Sequence, residues 1–183
     1  MKSFLKIIFA PVFLILLSQV EASAQQKDTA DNIIIYGDSF LFSIHEPAGW
    51  NGDVDNAKNY NSNIIFYKNK EELKKGGALI QILTYKKQDE EVLKDLEYEI
   101  TTIKEKNHDL KQQNIDVSSK TNACFAKLVS VDNVFYKYIA YINPGDKFHN
   151  AFSVIMTIQK RSASKEELIA FREIISTLVV FKR

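Results

Sequence analysis

Cysteine is nearly absent: Cys124 is the only one in 183 residues. That excludes an internal disulfide framework and any zinc site built mainly from thiolates. Proline and glycine are scarce, at three and six residues, so the chain is neither collagen-like nor a low-complexity tract. No charge of one sign dominates, since 24 Lys and Arg stand against 23 Asp and Glu. The electrostatic footprint of a nucleic-acid binder is therefore missing. Long hydrophobic runs are missing too, because the apolar stretch at residues 7–17 is about half the ~20 residues a membrane-spanning helix needs. What is present, 45% hydrophobic and 26% charged residues, is the composition of an ordinary globular domain.

The N-terminus reads as an address. Lys2 and Lys6 precede the apolar run, and Ala22-Ser23-Ala24 supplies small residues spaced as a signal peptidase prefers. Pro11 and the polar Ser18, Gln19 and Glu21 argue against a permanent anchor. No cysteine near the cut favours a lipoprotein. Residues 1–24 are expected to be a signal peptide cleaved between Ala24 and Gln25, leaving no stable membrane anchor and sending the chain to the periplasm or the exterior. Of 183 residues, 159 then remain, and loss of Lys2, Lys6 and Glu21 leaves acidic and basic side chains in equal number. A chain of that size buries roughly 70% of its unfolded surface, enough for one core without staples. The expected plan is a flexible leader at 25–31 and a single monomeric domain at 32–183.

Within that domain, residues 32–36 and 40–44 are β-prone runs separated by Gly37-Asp38-Ser39, a hairpin signal. Residues 51–63 are dense in Asn, Asp and Gly and read as a loop. Strand composition returns at 63–67 and 78–85, with one helical turn at 70–75 stopped by Gly76-Gly77. Residues 89–107 carry the clearest helical signal: Val92, Leu93, Leu96, Ile100 and Ile103 form one apolar stripe, with acidic residues at the start and basic ones at the end. Strands at 123–131, 134–142 and 148–159 are joined by Asp132-Asn133 and Pro144-Gly145-Asp146, the pattern of an antiparallel meander. Ser164-Lys165-Glu166-Glu167 is a capping box opening a helix whose buried face is Leu168, Phe171, Ile175 and Leu178. Val179, Val180 and Phe181 end as an extended piece. The fold class is α+β, an antiparallel sheet covered by a long middle helix and a C-terminal helix.

Phe40-Leu41-Phe42-Ser43-Ile44-His45-Glu46-Pro47-Ala48-Gly49-Trp50 resembles the strand-to-Pro-x-Gly-Trp entry of PsbP-like domains. The order of elements is similar to theirs and to that of the related Ran-binding Mog-type proteins. The resemblance implies an α/β/α sandwich around a central antiparallel sheet, used mainly as a non-catalytic accessory or binding module. In the photosynthetic branch that module stabilises photosystem II from the lumen; bacterial members are mostly exported. The long Asn-rich loop after Trp50 departs from the pattern, and no functional residue of either branch is matched here.

Chemistry-bearing residues are few. His45, His108 and His149 show no ligand spacing. Asn51-Gly52-Asp53-Val54-Asp55 alternates oxygen donors as a calcium loop does, but Asn56 stands where the turn requires Gly and Ser62 where a bidentate Glu belongs. Cys124 has neither a base nor a cation beside it in sequence and is expected to be buried. No Gly-x-Ser-x-Gly elbow and no phosphate loop occurs. Lys68-Asn69-Lys70 with Lys74-Lys75 reads as a solvated basic turn. The tyrosines and phenylalanines of the meander, Phe135, Tyr136, Tyr138, Tyr141, Phe148 and Phe152, divide between the sheet faces as core or as a docking face. Trp50 is expected to pack at the core edge.

These readings give no catalytic, cofactor-binding or metal residues. The expected function is an exported, non-catalytic module that docks a protein partner. The alternative is a small-ligand carrier or an enzyme whose site is assembled only on folding. A pocket with converging polar groups would favour the alternative, and a flat apolar patch the first.

Overall fold

The computed structural model describes residues 26–27, 32–37, 40–88 and 91–182. The signal segment, its cleavage point, most of the leader, Asp38-Ser39 and Asp89-Glu90 lie outside the described residues. Among the described residues no helix is long and apolar enough to cross a membrane.

The chain is α+β, with two antiparallel sheets and three helices among the described residues, where the sequence reading placed all strands in one sheet. The smaller sheet has the order β1 (Gln26–Lys27), β2 (Asn32–Tyr36), β3 (Phe40–His45), β11 (Val179–Lys182). Two of its residues thus fall inside the stretch read as a flexible leader, pairing with Ile33 and Ile34. Its other edge is the chain's last strand, docked on β3 with Phe181 opposite Leu41.

The larger sheet contains β4 (Asn51–Asp53), β5 (Ile64–Tyr67), β6 (Leu79–Lys86), β7 (Lys111–Asn114), β8 (Ala123–Val131), β9 (Phe135–Asn143) and β10 (Asn150–Gln159). Its spatial order is β4-β5-β6-β10-β9-β8-β7. The meander β8-β9-β10 stands as expected, its first turn closed by Val134 N–H donating to the Val131 carbonyl over 3.0 Å. The Asn-rich stretch is not all loop, since it contains β4 and a 3₁₀ turn at Ala57–Tyr60. Pairing with β5 makes Asn51–Asp53 a strand, although its composition favours turns.

Side-chain caps start two of the three helices among the described residues. In α1 (Lys70–Lys74) the Asn69 Oδ1 accepts from Glu72 N–H at 2.8 Å. It stops because Gly76 turns left-handed at φ +82° and Gly77 N–H donates back to the Glu72 carbonyl at 2.8 Å. A side chain at Gly77 would collide with that same carbonyl. In α3 (Lys165–Thr177) the capping box is complete: Ser164 N–H donates to Glu167 Oε2 and Glu167 N–H donates to Ser164 Oγ. In α2 (Val92–Lys106) the cap is Glu91, whose side chain makes no capping bond, so the helix starts later than its acidic prelude suggests.

Alternation along the strands assigns residues to faces. Phe152, Val154, Met156 and Ile158 of β10, with Tyr138, Ala140 and Ile142 of β9, share a core with the small sheet and with Phe171, Ile174 and Ile175 of α3. Phe40, Phe42 and Phe152 meet there edge to face, with ring centroids 5.6 and 5.2 Å apart. Trp50 is 5% exposed within this core, as expected. The intervening residues of the same strands, Ile139, Tyr141, Ala151 and Ile155, pack instead with Val92, Leu96 and Ile100 of α2. The meander aromatics are thus packing residues for the most part: Tyr138, Tyr141 and Phe152 are all buried.

Candidate functional site

The α2 face of the large sheet carries an anomaly. Tyr85 on β6 and Tyr141 on β9 both point to this side, separated by β10. The β10 residues opposite them, Ala151 and Ser153, are small, and the two rings meet 5.1 Å apart across the intervening strand. One helical turn apart on α2, Asp95 and Glu99 line the same cavity of about 360 Å³, together with Tyr98 and Thr102. Spacing of four residues puts both carboxylates on one side of the helix.

The polar groups of this cavity are unevenly satisfied. Tyr141 Oη donates to Glu99 Oε2 at 2.5 Å. Asp95 is only 9% exposed, and neither its buried Oδ2 nor the buried Tyr85 hydroxyl near it makes a hydrogen bond of ordinary geometry. Burial first, then the Asp95 carboxylate as a nearby charge and hydrogen-bond acceptor, and last the Glu99 charge, push the Tyr85 phenol far above its ordinary range. Burial and the bond to Glu99 do the same to Tyr141. Both phenols therefore stay protonated and offer O–H donors and aromatic walls rather than a base. The Thr102 hydroxyl donates to the Tyr98 carbonyl. The cavity thus presents two carboxylates and the hydroxyls of Tyr85 and Tyr141.

A larger cavity, about 490 Å³, lies between the 3₁₀ turn, α1 and β5. Its carboxylate is occupied by the chain itself: Asp53 accepts from Asn56 N–H at 2.9 Å, Asn56 Nδ2 at 2.7 Å and Tyr67 Oη at 2.9 Å. Partial burial works against these bonds, but they and the Lys70 charge hold the Asp53 carboxyl below its ordinary range. Asp53 and Asn56 of the stretch read as calcium-like are thus tied to each other and Asp53 to β5, and Asn51 Nδ2 donates to the Lys68 carbonyl. The basic turn at Lys68 to Lys75 is the cap and body of α1, with Lys74 paired to Glu71.

The other singled-out residues do not converge. His45 Nδ1 lies 2.6 Å from Glu173 Oε1, and His45 N–H donates to Thr177 Oγ1, so this histidine ties β3 to α3. His108 and His149 are exposed on separate segments. Among the described residues no group of three or more His, Cys, Asp or Glu is placed to hold a metal ion. Cys124 is half-buried rather than buried; its thiol donates to the Val117 carbonyl, and burial pushes it up, away from the thiolate.

A second surface lies on the outer side of the small sheet. Tyr36, Leu41 and Phe181 stand in register across β2, β3 and β11, with Ile34, Ser43 and Val179 in the next row. Their neighbours Ile33, Ile35, Phe42 and Val180 point into the core, so this row faces outward, with Tyr36 36% and Phe181 46% exposed.

No protein-family model matches the chain, and no curated protein shows significant similarity to it.

Sequence reasoning missed Asp95 and Glu99. The available signal was their position: they fall at helical spacing among Val92, Leu96, Ile100 and Ile103, where a core-facing stripe should hold no charge. It also missed the outward row, because Phe181 is distant in sequence from the Tyr36 and Leu41 hairpin pair and joins it only through strand pairing.

Proposed function

We propose that the chain is an exported, non-catalytic binding module that docks a protein partner through the outer face of its small sheet. The observation carrying this reading is the in-register row Tyr36, Leu41 and Phe181 on the side away from the core. Contiguous apolar surface with aromatic members is the usual substrate of a protein contact. An even balance of charge in the chain beyond residue 24 suits a contact governed by shape and apolar area rather than by steering. Export rests on Lys2, Lys6, the apolar run and Ala22-Ser23-Ala24. The finer architecture belongs to the same proposal: a PsbP-like α/β/α sandwich, supported by α2 packing on one side of the large sheet and α3 on the other.

The test is differential capture from the native periplasm. A Tyr36→Ser, Phe181→Ser double variant is expected to melt like the wild type and lose a partner that the wild type recovers. Equal recovery by both overturns the assignment of this face. Intact-mass analysis of the protein secreted by its native host checks the address: a mature species starting at Gln25 is expected, and one retaining Lys2 contradicts it. Turnover of any substrate, abolished by one polar-to-Ala change that leaves folding intact, contradicts the non-catalytic reading.

One observation favours a second reading, a small-ligand carrier. It is the cavity beneath α2, where the buried Asp95 Oδ2 and the Tyr85 hydroxyl are left without partners.

A further inference from the structure

We propose that the cavity between α2 and the β6-β10-β9 region binds a small organic cation, a protonated primary amine. The inference rests on the carrier reading and names its ligand class.

The sign of the site comes first. Of the residues lining the cavity, Asp95 and Glu99 bear carboxylates, and none is Lys, Arg or His. A buried carboxylate oxygen without a donor carries a heavy desolvation penalty that a bound cation with N–H groups would relieve. Asp95 Oδ2 is in that condition, whereas the other acid, Glu99, already accepts from Tyr141. The site therefore lacks one cation, and its most demanding acceptor is Asp95.

The shape of the deficit points to an ammonium group. Tyr85 Oη, also without a partner, can accept a second N–H through its oxygen lone pair. Glu99 retains acceptor capacity for a third, because a carboxylate has about four lone-pair sites. Three acceptors lining one cavity equal in number the three donors of –NH₃⁺. Tyr85 and Tyr141, tilted at 55° with centroids 5.1 Å apart, supply ring faces that attract a cation within about 6 Å.

A bare metal ion is a poorer fit. Calcium takes roughly six to eight oxygen ligands and magnesium a near-ideal octahedron, while this lining offers two carboxylates among aromatic walls. A volume of about 360 Å³ also suits a small molecule. Tyr98, on α2 at the cavity and 67% exposed, places an aromatic side chain where the ligand's apolar tail would leave the cavity.

The experiment is titration of the purified chain, followed by calorimetry and by NMR shifts of the tyrosines, with n-butylammonium chloride, 1-butanol, glucose and calcium chloride. Saturable binding of n-butylammonium, with no saturable binding of 1-butanol, is expected. Asp95→Asn should weaken it at least tenfold, and Tyr85→Phe severalfold. Glu97→Gln, the same charge change on the exposed side of α2, should leave it unaltered. If Asp95→Asn fails to fold, the Tyr85→Phe and Glu97→Gln pair decides the matter. Equal weakening by Glu97→Gln and Asp95→Asn would show diffuse charge attraction and overturn the proposal. Saturable binding of glucose or calcium at Tyr85 and Tyr141 without n-butylammonium binding overturns the cation and leaves the carrier reading standing. No perturbation of these tyrosines by any of the four overturns both.

Discussion

Two carboxylates are buried in first turns of the two long helices, and the chain treats them in opposite ways. Glu167 of α3, 3% exposed, accepts two bonds from the Arg161 guanidinium, at 2.8 and 2.7 Å, and a third from Ser164 N–H at 2.7 Å. Asp95 of α2 has its inner oxygen without a donor and a phenol beside it in the same state. The same contrast extends to the surfaces they sit on. On the α3 side, the small sheet, the large sheet and the helix share one apolar core closed by a satisfied rim. On the α2 side a smaller cluster leaves a cavity walled by tyrosines and acids. A buried charge with all its bonds made is compatible with stability, and one without them costs stability. The first face holds the fold together; the second keeps something a purely structural face would discard.

The largest effect should come from the α3 side. Phe171, fully buried and 6.2 Å from the Tyr138 ring, should cost about 3–5 kcal/mol on replacement by Ala, and Trp50→Ala should fall in the same range. Denaturant melts check both, and a loss below about 1 kcal/mol for either contradicts the placement of the core.

Glu167→Gln comes next, at about 1–2 kcal/mol, because the capping box weakens and the charge-assisted bonds to Arg161 are lost. Its pH dependence has a definite sign. The Arg161 hydrogen bonds hold the Glu167 carboxyl below its ordinary value of 4.5, against opposing burial. A lowered folded value means that the stabilisation is fully present above that ordinary value and is lost as pH falls through the folded one. Melts of the wild type from pH 6 downward should therefore lose stability more steeply than melts of Glu167→Gln. Parallel curves would mean that the pair contributes nothing.

Tyr85→Phe should be the smallest change, within about 0.5 kcal/mol of the wild type or slightly stabilising, since it removes a buried hydroxyl that has no partner. A clear destabilisation in the melt would mean that the hydroxyl is bonded in solution.

What the sequence disclosed follows from range. The capping box at Ser164, the stop at Gly76-Gly77 and the turns of the meander are decided by residues within five positions of one another. Alternation likewise showed which strand residues face a core. It does not say which partner a strand takes, and the last strand pairs with β3 across most of the chain's length. That distant pairing is why one sheet was expected where two exist. Strand β7, Lys-Gln-Gln-Asn, is an exposed edge without apolar alternation, so it left no signal. The same limit applied to the site. Asp95 and Glu99 were visible as acids within an apolar stripe, but the tyrosines opposite them come from two strands that are neither adjacent in sequence nor paired with each other.

The central claim is that the Asp95 carboxylate is kept for something other than stability. Side-by-side denaturant melts of Asp95→Asn and Glu167→Gln at neutral pH test it directly. Asp95→Asn should equal or exceed the wild type, because the isosteric amide removes an unpaired buried charge, while Glu167→Gln loses about 1–2 kcal/mol. A loss of more than about 1 kcal/mol in Asp95→Asn would make Asp95 a structural residue like Glu167 and contradict the account.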